Sequence, residues 1–178
     1  MKVYQKPVIV VSRCLSFDAC RYDGARIEAD FIQELEPFVE FIPVCPEVGI
    51  GLSVPRDPIC IYKTDQGLRL IQPSTDRDLT DEMIGFAEGF LEDLEHVDGF
   101  ILKSRSPSCG IEDCKLFAVD SPEEPIGSIS GFFAAEVLKK YPRCRVISEK
   151  DMLDPELRQA FLQEILTAVR ERAVKPVE

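Results

Sequence analysis

Two hydrophobic patterns alternate along this chain: short continuous apolar runs, and longer stretches in which apolar residues recur at helical spacing. Pro7-Val8-Ile9-Val10-Val11-Ser12 is a continuous apolar run bounded by proline and a polar turn, the mark of a strand buried on both faces. Residues 28–36 read as a short helix with Ala29, Ile32 and Leu35 on one face. Val39 to Val44 reads as a second strand that stops at Cys45-Pro46. A β–α–β unit therefore opens the chain.

Residues 50–76 are irregular and rich in Pro, Gly and Asp, with a hairpin predicted from Cys60-Ile61-Tyr62 to Leu68-Arg69-Leu70-Ile71. Leu79, Met83, Phe86, Phe90 and Leu94 then predict an amphipathic helix, capped by Asp78 and closed by His96 and Gly99. Gly99 to Lys103 is a third strand. A loop containing Ser121-Pro122 and Pro125 leads to a helix over 129–140, with Ile129, Phe133 and Val137 on its face. Arg145-Val146-Ile147 is a short fourth strand. Asp154-Pro155 supplies a cap and a first-turn proline for the last helix, which presents Leu157, Phe161, Ile165 and Val169. This alternation predicts one α/β domain over residues 1–178, Rossmann-like and three-layered, with a mainly parallel sheet covered by helices on both faces. Ligands in such folds bind beyond the carboxyl ends of the strands.

Composition narrows the function classes. The chain has 178 residues, 45% of them hydrophobic, enough for one full core. Its formal charge of −11 argues against a nucleic-acid polymer or an anionic membrane as partner, but leaves room for a small anion in a local basic pocket. No apolar run is long enough to cross a bilayer. Met1-Lys2-Val3-Tyr4-Gln5-Lys6 leads straight into the first strand pattern, so no export signal is expected. The seven cysteines form no regular disulfide framework, and reduced thiols in the cytoplasm are the expectation.

Three of those cysteines sit in distinctive stretches: Val-Ser-Arg-Cys14-Leu, Pro-Val-Cys45-Pro-Glu and Ser-Pro-Ser-Cys109-Gly. Each follows a predicted strand, so the topology gathers all three at one edge of the sheet. Three thiolates there make a soft-metal or iron–sulfur site with one position unfilled by protein. Zinc fits less well, because there is no C-x-x-C and the one histidine, His96, belongs to a helix end. Cys20, Cys60, Cys114 and Cys144 read as small buried hydrophobes. Proline fixes the backbone between Cys45 and Glu47, which suits Glu47 to act as a general base on water. Lys103 to Ser108 brings three hydroxyls and two cations beside Cys109. Arg21-Tyr22-Asp23-Gly24 and Pro55-Arg56 place polar groups on neighbouring loops, where arginine holds a carbonyl or phosphate, or merely a surface carboxylate.

These motifs together resemble the thiouracil desulfidases. The likeness rests on Val-Ser-Arg-Cys-Leu with Arg-Tyr-Asp-Gly, on Pro-Val-Cys-Pro-Glu-Val-Gly-Ile-Gly-Leu-Ser-Val-Pro-Arg, and on Ile-Leu-Lys-Ser-Arg-Ser-Pro-Ser-Cys-Gly, and it runs from Pro7 to Pro142. The resemblance implies a [4Fe-4S] cluster held by Cys14, Cys45 and Cys109, with one iron free of protein ligands. It implies that the sulfur of 2- or 4-thiouracil, or of its nucleoside or nucleotide, binds that iron. Water then replaces sulfur at carbon with no net redox change, leaving uracil and sulfide. The acid–base pair falls on Glu47 and Ser104, with Ser106 as second choice for the serine. Arg21, Tyr22, Asp23, Arg56, Lys103 and Ser106 are the expected substrate-binding set. One stretch departs from the pattern: Ser16-Phe17-Asp18-Ala19-Cys20 stands where many members carry Leu-Gly and a short apolar link, and Cys20 is read as a bystander. A non-catalytic iron–sulfur sensing module and a zinc-binding structural domain are the rival readings.

Overall fold

The computed structural model of the protein describes residues 5–174. Residues Met1–Tyr4, part of the stretch read for an export signal, lie outside it. The elements in chain order are β1 (Val8–Ser12), α1 (Asp30–Leu35), β2 (Glu40–Val44), α2 (Pro46–Gly49), β3 (Cys60–Thr64), β4 (Gly67–Gln72), β5 (Arg77–Asp78), α3 (Thr80–Glu92), β6 (Gly99–Leu102), β7 (Cys114–Ala118), β8 (Ser121–Ile129), α4 (Phe132–Lys140), β9 (Arg145–Ser148) and α5 (Pro155–Val174). A single 3-10 turn, Asp151–Leu153, precedes α5.

The apolar runs assemble into a four-stranded sheet in the order β2-β1-β6-β9, parallel at every pairing. Strand β1 is central and buried along its whole length, as expected where helices cover both faces. Ile9 and Val11 point to one face, against Phe31, Ile32 and Leu35 of α1 and Phe161 and Ile165 of α5. Val10 and Phe100 point to the other, against Ala87 and Leu91 of α3 and Phe133 and Val137 of α4. The period of two along each strand thus sorts the side chains into two cores, one per face. This is the α/β architecture with helices on both faces that the alternation predicts.

The structure adds a second sheet, ordered β5-β4-β3-β7-β8 and mixed: β3 and β7 run parallel, the remaining pairs antiparallel. Its apolar face, with Ile61 and Leu70, packs on Leu79 and on Met83 of α3. The hairpin predicted around residues 60–71 is β3–β4. The segment expected as a proline-bearing loop is instead the edge strand β8, and Ile129 belongs to it rather than to α4, which begins at Phe132. An edge strand needs only one side of its backbone for pairing, so Pro122 and Pro125 are tolerated there, and the ladder shifts register at Phe117. Helix α3 begins at Thr80, whose N–H donates to the Asp78 carboxylate at 2.9 Å, and ends at Glu92, short of the expected His96. Among the described residues no helix is long and apolar enough to cross a membrane.

Candidate functional site

Because β2, β1 and β6 are adjacent and parallel, their carboxyl ends open on the same side. Cys45 directly follows β2, Cys14 lies two residues beyond β1, and Cys109 lies in the loop after β6. All three line one cavity of about 390 Å³. The loop carrying Cys109 is clamped from behind. Phe132 and Ala134, in the first turn of α4, donate their N–H groups to the carbonyls of Pro107 and Ser108, both at 3.0 Å. Gly131 permits that approach, since a Cβ there would stand 2.5 Å from the Ser108 backbone. On the other side, the Ser12 hydroxyl accepts the Lys103 N–H at 2.9 Å, joining the ends of β1 and β6.

The thiols stand near enough to influence one another, with Cys14 and Cys109 buried and Cys45 half-buried. Burial pushes the Cys14 thiol up to about 12, with Cys20 and Cys45 adding to the rise. Burial likewise pushes Cys45 up to about 11. Cys109 is raised well above the ordinary thiol value by burial, partly offset by the Ser12 hydroxyl. Without a metal these are neutral thiols, and metal binding must expel their protons. Cys20, read from sequence as a bystander, also lines the cavity, and its carbonyl lies 3.9 Å from Cys45 Sγ. Among the described residues no three His, Cys, Asp or Glu side chains are close enough to hold a single metal ion. A cubane takes one cysteine per iron, so its ligands stand farther apart than those on one ion. Three soft donors around a cavity therefore fit an iron–sulfur cluster.

Glu47 sits in the one-turn helix α2, with Pro46 at its first position. Its carboxylate is gripped from two sides: Oε1 accepts from Ser108 Oγ at 2.7 Å, and Oε2 accepts from Arg56 Nε at 2.8 Å and pairs with Nη2 at 2.7 Å. Arg56 is almost fully enclosed, its side chain 4% exposed. Its two terminal nitrogens each donate to the Cys20 carbonyl at 3.1 Å. One arginine thus fixes both the carboxylate and the loop bearing Cys20.

Ser104 belongs to a separate network. Its hydroxyl donates to Glu149 Oε1 at 2.7 Å, and Lys103 Nζ donates to the same hydroxyl at 3.1 Å and to Glu149 Oε1 at 2.7 Å. The serine hydroxyl on Glu47 is that of Ser108. Ser106 is turned into its own loop, where its hydroxyl accepts the N–H groups of Ser108 at 3.2 Å and Cys109 at 3.0 Å. Arg21 and Tyr22 line the cavity, with the guanidinium 5.7 Å from the Tyr22 ring centre. Asp23 does not line it; its carboxylate accepts from Ala25 N at 3.0 Å and pairs with Arg21. Gly24, at φ +73°, closes that turn in the left-handed region glycine favours. Arg56 and Lys103 are neutralised by carboxylates, whereas Arg105 and Lys150 stand on the cavity wall with no such partner among the described residues. Sequence reasoning counts Ser108 among the hydroxyls beside Cys109 but gives it no role of its own, and it passes over Glu149 and Lys150. Glu149 and Lys150 follow β9 directly, so the rule that located the cysteines, strand end at the ligand edge, points to them as well.

A thiol-lined cavity at the carboxyl edge of a parallel sheet, flanked by a buried carboxylate and by cations, describes an iron–sulfur type of site on an α/β scaffold. The chain belongs to the 2-thiouracil desulfurase family, whose profile matches residues 9–151. It is similar to the uncharacterized protein YbbK of Bacillus subtilis (strain 168), 29% identical over 154 residues that cover 83% of this chain and 99% of that one. Among solved structures it is similar to the [4Fe-4S]-dependent thiouracil desulfidase TudS, with 28% identity and a TM-score of 0.67, over 89% of this chain and 99% of that one.

Proposed function

We propose that this protein removes sulfur from a thiolated uracil by hydrolysis, giving the uracil and sulfide, with a [4Fe-4S] cluster held by Cys14, Cys45 and Cys109. The observation that carries this reading is the convergence of the three thiols and the Glu47–Arg56 pair on one cavity. When bound, the cluster supplies a Lewis-acidic iron without a protein ligand, which polarises the thiocarbonyl and stabilises sulfur as a leaving group. Glu47 takes a proton from the attacking water. Arg56 and Ser108 hold both its oxygens, so the carboxylate presents one orientation to the cavity. Ser104 delivers a proton to the departing sulfur and recovers one from the Lys103 ammonium beside it. The second proton of the water leaves the new carbonyl oxygen for solvent as the C–S bond breaks, giving uracil and hydrosulfide. Glu47 returns its proton to solvent and Lys103 takes one up, so the residues regain their starting state. Arg21 and Tyr22 flank the uracil. Arg105 and Lys150, on the wall with no carboxylate partner among the described residues, favour a form of the substrate that carries phosphate. The protein works in the cytoplasm, where its thiols stay reduced.

The test is anaerobic turnover by the cluster-loaded protein, with 2- and 4-thiouracil compared with their nucleosides and nucleotides. Glu47→Ala should keep the cluster's absorption and lose turnover by about 100-fold or more, the scale of a general base. Full turnover in that variant would refute the assignment of Glu47.

A further inference from the structure

We infer that Glu149 is a positioning residue for the reaction, holding Lys103 and Ser104 in the geometry that delivers the proton; this rests on the role proposed for Ser104. Nothing in the cysteine motifs points to it. Its placement follows from the sheet. Leu102 of β6 is paired with Ser148 of β9, and the Glu149 N–H continues the ladder to the Leu102 carbonyl at 3.2 Å. That register sets Glu149 beside the two residues that follow β6. The turn after it is locked as well: Ser148 Oγ donates to Asp151 Oδ2 at 2.8 Å and accepts the Asp151 N–H at 3.2 Å.

Glu149 is buried and meets only donors on this side. Oε2 accepts the Ser104 N–H at 2.6 Å, while Oε1 accepts both the Ser104 hydroxyl and the Lys103 ammonium, each at 2.7 Å. Lys103 Nζ has three N–H groups, and its remaining contacts are the Ser104 carbonyl at 2.8 Å and hydroxyl at 3.1 Å. The ammonium is therefore held with one donor on the oxygen that it must reprotonate. Meanwhile the hydroxyl hydrogen of Ser104 rests on Glu149 until a better acceptor arrives. Only an ionised carboxylate offers acceptors and no donor to all three groups. Glutamine, close in shape, would turn an NH₂ group against at least one of them.

The experiment compares wild-type protein with Glu149→Gln and Glu149→Asp, alone and combined with Ser104→Ala, in cluster-loaded form. Glu149→Gln should lower kcat by about 10- to 100-fold with KM changed less than about twofold, the usual loss when the partner orienting a reacting group is removed. Glu149→Asp should fall in between. In the Ser104→Ala background, Glu149→Gln should change kcat by less than about threefold, because the group it positions is already gone. In cluster-free protein, Glu149→Gln should also speed exchange of the Ser104 amide hydrogen while those of Val10 and Ile101 stay as slow as in wild type. Equal losses in both backgrounds, or unchanged kcat in Glu149→Gln, would overturn the inference; if that variant loses its iron, Glu149→Asp carries the same comparison. A wild-type protein that releases no uracil would instead sink the desulfuration reading, and the amide exchange would still report whether Glu149 holds Ser104.

Discussion

Replacing Arg56 by methionine removes the cation at the centre of the site while keeping most of the side chain's length. The loss can be traced contact by contact. Arg56 makes two contacts to Glu47 Oε2, at 2.8 and 2.7 Å. It makes two more to the Cys20 carbonyl and one to the Ser53 carbonyl at 3.1 Å. The side chains of Arg56 and Glu47 are 4% and 12% exposed, so water reaching Glu47 from the cavity replaces only part of what the guanidinium supplies. Breaking a buried pair by removing one member leaves an uncompensated charge and costs about 3–5 kcal/mol, a large share of the roughly 5–15 kcal/mol that holds a domain folded. Urea unfolding at neutral pH should show Arg56→Met destabilised by about that amount, with the slope unchanged. Adding Glu47→Gln removes the orphaned charge, so the double variant should recover about half of the loss or more, as expected where two residues share one interaction. An Arg56→Met protein within about 1 kcal/mol of wild type would refute the reasoning, since that is the worth of a solvated surface pair. A double variant no more stable than the single one would refute it too.

Other consequences can be measured separately. Gly131→Ala drives a Cβ to 2.5 Å from the Ser108 backbone; it should lower stability by about 1–3 kcal/mol and reduce iron bound per chain, which an iron assay reads. Ser108→Ala strips one donor from Glu47 and should slow turnover about 10-fold with the cluster's absorption intact. In the cluster-free protein, burial favours neutral thiols at Cys14 and Cys45, pushed from 9.0 to about 12 and about 11. The unfolded chain gives up those protons first, so stability present below about pH 9 should drain away as pH rises toward 11 and 12, by up to about 1.4 kcal/mol per pH unit for each such thiol. The urea midpoint should fall over that range, and less steeply in Cys14→Ala.

Much of this arrangement is written locally in the chain. The run Val8–Val11 specifies a buried strand with no help from its partners. Once the sheet is taken as parallel, the positions of Cys14, Cys45 and Cys109 after their strands imply one shared edge. Glu47 is legible for the same reason, since Pro46 ties it to Cys45. The second sheet was harder to read: Pro122 and Pro125 look like loop residues until β8 is known to be an edge strand, which depends on its pairing with β7. The partners of the serines were not legible either. Ser104 meets Glu149 across 45 positions, and Ser108 meets Glu47 across 61. The β6–β9 register sets Ser104 against Glu149, and the clamp of α4 on the Cys109 loop holds Ser108 near Glu47; both are tertiary contacts with no signature in spacing.

One measurement bears on the whole proposal. Protein reconstituted with iron and sulfide without oxygen is freed of excess reagents and given a thiolated uracil with no reductant. Uracil and newly released sulfide are then counted against bound cluster. Hydrolytic desulfuration predicts that the two products appear in equal amounts and over many turnovers, and that Cys109→Ser abolishes both along with the cluster's absorption. A wild-type protein that holds its cluster yet releases neither product would contradict the enzyme reading and leave a sensing module in its place.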